Sequence, residues 1–183
     1  AALGQRLQLI HIFRDPVGNI YEQNIRNFGT RIGDDPMELQ LTYKLGEHPV
    51  PIMAIGRGEE YLNANPIERL VLMVDAMFRY NVQGFLDLAK DEKKQVLCIE
   101  FEDFLVNSDY YMKIIEKFIG ESFGKEKRRI LKRERCPRVI DPSERSQRTE
   151  AILSNIGNLY KDIFIKLIDD YDKKPWENWQ AQP

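Results

Sequence analysis

Leu9-Ile10-His11-Ile12-Phe13-Arg14-Asp15-Pro16 is the stretch on which the reading of this sequence turns. A short run, apolar except for one histidine, ends abruptly in Arg-Asp-Pro. Such a run, closed by a breaker, predicts a strand over about Leu7–Phe13 that is covered on both faces and ended by Pro16. Arg14 then stands at the carboxyl end of a core strand, where open α/β sheets receive ligands. Its guanidinium is a planar fork of donors that matches phosphate or carboxylate. The local alternative is that Arg14 and Asp15 pair with each other or cap the next helix. These eight residues alone leave both readings open.

Working outward, the pattern predicts a helix over about Val17–Phe28 and a loop from Gly29 to Pro36, rich in Gly, Asp and Pro. Residues 37–63 read less clearly, with short helical pieces around Met37–Leu45 and then a turn-rich Gly46–Pro51. Gly56-Arg57-Gly58-Glu59 looks like half of a phosphate loop, but no Lys-Ser or Lys-Thr follows, so it reads as a turn. Pro66 opens the strongest helix, with Ile67, Leu70, Val71, Val74, Met77, Phe78, Phe85 and Leu88 on its apolar face. Lys90–Lys94 reads as a charged loop and Gln95–Phe101 as a second buried strand. Strand, long helix and strand predict a parallel pair joined by a right-handed crossover. Asn107 or Ser108 is placed to cap a helix over Tyr110–Ile119, which Gly120 stops. A last helix is expected over Thr149–Tyr171, its stripe running from Ile152 through Ile156, Phe164 and Leu167 to Ile168.

The chain has 183 residues, 43% hydrophobic and 31% charged, which suits a single ordered domain. No apolar run approaches the ~20 residues that span a bilayer. Cys98 and Cys136 make no disulfide framework, and Cys98 reads as a buried thiol. Two histidines and two cysteines set far apart offer no zinc-ligand spacing, so no metal is expected. The net charge is −2 but uneven: Lys125–Arg138 holds eight basic residues against Glu126 and Glu134, a window of +6. That asymmetry points to an anionic ligand, or else to a solvated helix face. Nucleic acid would call for a more basic domain, so none is expected as a partner.

Taken in order, the motifs resemble the C-terminal half of the sulfotransferases that use 3′-phosphoadenosine 5′-phosphosulfate (PAPS). Leu9–Pro16 is similar to the strand whose terminal Arg binds the cofactor 3′-phosphate. Phe101-Glu102-Asp103 resembles that family's Tyr-Glu-Asp strand end. Asn107-Ser108-Asp109 and Phe118-Ile119-Gly120 are similar to the helix that follows it. The Arg-rich loop and long terminal helix also fit, whereas residues 30–65 match poorly. The resemblance implies an α/β fold with a parallel, P-loop-NTPase-like sheet flanked by helices, here incomplete. It implies that Arg14 clamps the 3′-phosphate, that Phe101 lies beside the adenine, and that Arg145 and Arg148 close over the same phosphate. PAPS, or its product PAP, would be the cofactor, and a small molecule or glycan would accept the sulfuryl group at a hydroxyl or amine.

The departures from the family are as specific. Glu22 occupies the position where a Ser usually donates to the phosphate, and a carboxylate there repels a dianion unless it turns away. The Lys-Ser-Gly-Thr-Thr type loop that cradles the 5′-phosphosulfate is missing, as is the segment with the general-base His. His11, inside a strand, reads as a packed residue, and His48 as an exposed loop residue. The expectation is therefore a C-terminal part of a longer domain, catalytically inactive alone, with no catalytic residue of its own and the N-terminal half as partner. The competing expectation is a non-catalytic module of the same fold in a larger assembly, with Trp176 and Trp179 as anchors. A third is a phosphate-transferring nucleotide enzyme, which the missing phosphate loop disfavours equally.

Overall fold

The computed structural model describes residues 7–31 and 40–177. In chain order these form β1 (Leu9–Phe13), α1 (Pro16–Ile25), α2 (Phe28–Arg31), β2 (Thr42–Leu45), β3 (His48–Pro51) and a 3₁₀ turn at Ile52–Ala54. Then come α3 (Gly58–Asn63), α4 (Pro66–Leu86), α5 (Lys90–Lys93), β4 (Val96–Glu100) and α6 (Phe101–Val106). The last are α7 (Ser108–Ile119), α8 (Glu126–Arg133), α9 (Pro142–Leu153) and α10 (Asn158–Asp172). The structure is mixed α/β and mostly helical, with a small parallel sheet of two strands. The chain divides into two compact units, both discontinuous in sequence. The first gathers residues 7–15, 84–142 and 175–177, and the second residues 16–31, 40–83 and 143–174.

The first unit is built on the parallel pair. β1 lies parallel beside β4, as the strand–helix–strand pattern predicts, in the register Leu9 opposite Val96 through Phe13 opposite Glu100. Leu97, Cys98 and Ile99 of β4 are buried. β1, however, is not the covered strand that its apolar run predicts. Leu9, Ile10 and Ile12 are 47%, 36% and 57% exposed, and only Phe13 is buried. The run reports a preference of β-branched and aromatic residues for extended backbone. Coverage depends on neighbours, and among the described residues β1 has a strand on one edge only. Phe13 owes its burial partly to Trp176, whose ring stacks on it at 3.9 Å with the planes 6° apart. Trp176 is 2% exposed, so it is not the surface anchor that the assembly reading requires; Trp179 lies outside the described residues.

Phe101 opens α6 and does not extend β4. Neither expected cap of α7 acts as one. Asn107 gives no side-chain cap, and the Ser108 hydroxyl donates back to the Phe104 carbonyl at 2.8 Å. Gly120 ends α7 as expected, in the left-handed conformation (φ 74°) that only glycine adopts without strain. Lys90–Lys93 forms a helical turn where a loop is expected, because the Glu92 carboxylate accepts the Ala89 amide at 2.8 Å.

The second unit has a helical core. Val17 and Ile20 of α1, Ile67, Leu70, Val71 and Val74 of α4, Ile152 of α9, Ile156, and Phe164 and Leu167 of α10 are buried together. Asn65 caps α4: its Oδ1 accepts the amides of Ile67 and Glu68, both at 3.0 Å, while Glu68 Oε2 accepts the Asn65 amide at 2.8 Å. This is a capping box. The second Glu68 oxygen accepts the Gly157 amide at 2.8 Å. There the expected helix Thr149–Tyr171 breaks into α9 and α10, since Gly157 interrupts the helix and the carboxylate takes its N–H. Gly29 and Thr30, expected in a loop, are instead the middle of α2.

Residues 42–51 form an antiparallel hairpin where helical pieces and a turn are expected, with Tyr43 opposite Val50. Gly46 turns the chain at φ 60°, and Val50 is fully buried against Ala54, Tyr61, Leu72 and Met73. Residues 37–39 of that expected helical stretch lie outside the described residues.

Candidate functional site

The parallel pairing of β1 with β4 brings Arg14 and Phe101 together at the carboxyl ends of both strands. The Arg14 guanidinium lies over the Phe101 ring, 5.3 Å from its centroid. The side-by-side register explains this: Phe13 faces Glu100, so the next residue of each strand meets the other. The Glu102 carboxylate ties the two ends, accepting the Asp15 amide at 3.1 Å. Arg14 is exposed and Phe101 half-buried. Among the described residues no carboxylate pairs with Arg14, so the ion pair with Asp15 is not formed. A guanidinium over an aromatic face is attracted by the ring quadrupole. Phe101 thus turns a ring face to Arg14, which makes it a support for the cation.

His11, two residues before Phe13 in the same strand, is not placed for acid–base work. Its ring packs 4.3 Å from Phe13, its buried Nε2 has no hydrogen-bond partner among the described residues, and burial lowers its pKa below 6.5. Cys98 is buried in β4, where desolvation pushes its thiol up to about 11, so it is no nucleophile near neutral pH. His48 is exposed on β3.

Arg145 and Arg148 belong to the second unit, on α9. Arg145 makes a two-pronged contact with Asp172, at 2.7 and 3.1 Å. Arg148 pairs with Glu144 at 2.9 Å, comes within 3.9 Å of Glu22 and lies over the Tyr21 ring at 5.2 Å. The charge on Glu22, which breaks the expected phosphate-binding pattern, is thereby partly neutralised. Both arginines are engaged by carboxylates that an anionic ligand would have to replace. A groove of about 540 Å³ opens along α9 and α10, lined by Arg145, Thr149, Leu153, Lys161 and Ile168 among others. Two hydroxyls on its wall are turned back onto the helix backbone, Thr149 to the Arg145 carbonyl and Ser154 to the Glu150 carbonyl, both at 2.8 Å.

One charged cluster escaped the reading of the sequence. Asp75 on α4 is 5% exposed and faces Arg79 at 2.8 Å and Arg57 at 3.9 Å, while Arg79 reaches Asp170 at 3.4 Å. Its hydrogen bond to Glu60 above all holds the Arg57 guanidinium above its ordinary pKa. The Arg79–Asp75 spacing of four residues was the available signal, but nothing in the sequence tells a buried pair from a solvated one. The cluster joins α3, α4 and α10 and reads as structural.

Among the described residues no group of His, Cys, Asp or Glu side chains is placed to hold a metal ion. No described helix is long and apolar enough to cross a membrane. Comparison with protein-family models, with curated proteins and with solved structures found no match to this chain.

Proposed function

We propose that the carboxyl ends of β1 and β4 form the 3′-phosphate end of a site for 3′-phosphoadenosine 5′-phosphosulfate, in a sulfotransferase-like α/β domain. The observation that carries the reading is Arg14: an exposed guanidinium at the end of a parallel strand, without a carboxylate partner among the described residues, supported on the Phe101 ring. A phosphate dianion is the ligand that best uses a free bidentate fork, and the aromatic beneath favours a ligand that also carries a base. Arg14 would orient the nucleotide and would not take part in bond making.

The reading assigns binding to these residues and no chemical step. A loop to cradle the 5′-phosphosulfate and a histidine to deprotonate the acceptor are not found in this sequence. With them, the reaction would be sulfuryl transfer from PAPS to an acceptor hydroxyl or amine, the charge on the bridging oxygen being met by cationic groups.

Calorimetric titration of the chain with PAP and with 5′-AMP tests the proposal. PAP is expected to bind at least tenfold more tightly than AMP, with the difference lost in Arg14→Ala and only partly kept in Arg14→Lys. Equal affinity for the two nucleotides, or PAP binding indifferent to Arg14→Ala, would overturn it.

A further inference from the structure

The basic segment finds no use in the proposed nucleotide site, and its geometry gives it a use of its own. Of its eight cations, three are neutralised: Lys127 pairs with Glu116, Arg129 with Glu126 and Arg133 with Glu134. Lys125, Arg128, Lys132, Arg135 and Arg138 have no carboxylate partner among the described residues. Lys125, Arg128 and Lys132 recur at spacings of three and four residues, which sets them in one line along α8, and Arg135 follows just past its end with left-handed backbone (φ 57°).

The same segment exposes apolar side chains at both ends. Phe123, before α8, is 37% exposed; after it, Val139 is fully exposed and Ile140 is 40% exposed. The loop that carries Val139 is fastened on both sides of Pro137. The Cys136 amide donates to the Leu131 carbonyl at 2.8 Å and the Arg138 amide to the Leu105 carbonyl at 2.7 Å. The apolar tip is therefore held outward by hydrogen bonds.

We infer that α8 and the Val139-Ile140 loop form a docking surface for an anionic lipid bilayer. A row of unpaired cations alone would take any polyanion. Exposed apolar side chains at the two ends of the same segment select a partner that accepts both, as the interface of an acidic membrane does. The acidity of the rest of the chain, −8 outside a window of +6, disfavours a long nucleic acid and would orient the protein with this side toward the lipid.

The test is co-sedimentation of the chain with vesicles of phosphatidylcholine, alone or with about three parts in ten of phosphatidylserine. Binding is expected only to the acidic vesicles, and it should fall steeply as salt is raised from about 0.1 to 0.5 M. Each unpaired cation contributes about a fivefold factor, so Arg128→Gln with Lys132→Gln should weaken partitioning about thirtyfold. Val139→Ser with Ile140→Ser should weaken vesicle binding as well, with unchanged far-UV circular dichroism in both variants. No preference for acidic vesicles would overturn the proposal. So would binding indifferent to Val139→Ser and Ile140→Ser, or tighter binding to a single-stranded oligonucleotide at the same salt.

Discussion

Glu68 holds two helix starts with one carboxylate, and replacing it measures how much of the second unit depends on that contact. The side chain is 9% exposed; one oxygen accepts the Asn65 amide and the other the Gly157 amide, each at 2.8 Å. A hydrogen bond to a charged acceptor contributes about 1.5–3 kcal/mol, and because Asn65 and Gly157 are themselves exposed each bond counts at the low end of that range. Glu68→Gln keeps one acceptor, uncharged, and turns an NH₂ donor toward the other amide. One bond is weakened and one is lost, for a destabilisation of about 2–3 kcal/mol. Glu68→Ala loses both, adds a small cavity, and should cost about 3–5 kcal/mol. Equilibrium urea unfolding followed by far-UV circular dichroism gives the numbers. A Glu68→Gln unfolding free energy within about 0.5 kcal/mol of the parent would show that water or backbone shifts satisfy these amides, and the double-cap reasoning would fail.

Other expectations follow from single residues. At pH 8 a thiol reagent should label Cys136 and spare Cys98 until the chain is unfolded, since burial holds the Cys98 thiol at about 11; prompt labelling of both would contradict its placement. His11 has a folded pKa below 6.5 because burial disfavours its charged form, so the unfolded chain binds more protons in that window. Stability should be fully present above pH 6.5 and decline as the pH falls below it, and His11→Phe should flatten that decline; an unchanged profile would refute the assignment. A Cβ at Gly29 would run into the backbone of Pro66, so Gly29→Ala should destabilise by about 1–3 kcal/mol in thermal or urea unfolding, despite the better helix propensity of alanine.

Much of the architecture was legible because it follows local rules. The strand at Leu9–Phe13, its parallel pairing with Val96–Glu100, the Pro66 helix and the Gly120 stop come from periodicity and from punctuation by Pro and Gly. What was not legible depends on distant partners. The apolarity of β1 says nothing about which faces are covered, and the division of the last helix at Gly157 depends on a carboxylate 89 residues away. Asn65-Pro66-Ile67-Glu68 carries a capping-box signal beside the stronger sign of Pro66. The same holds at the candidate site. The pairing of Arg14 with Phe101 follows from strand register, whereas Asp172 and Glu22, which engage Arg145 and Arg148 from other helices of their unit, leave no trace in the local sequence; only Glu144, four residues before Arg148 on the same helix, does.

The central claim is that Arg14 is a phosphate-binding guanidinium, and its most direct measurement is the affinity of the chain and of Arg14→Ala for PAP against 5′-AMP. The account predicts a preference for PAP of at least tenfold in the parent chain and none in the variant, with both proteins folded. A parent chain that does not distinguish the two nucleotides, or a variant that still does, would contradict it.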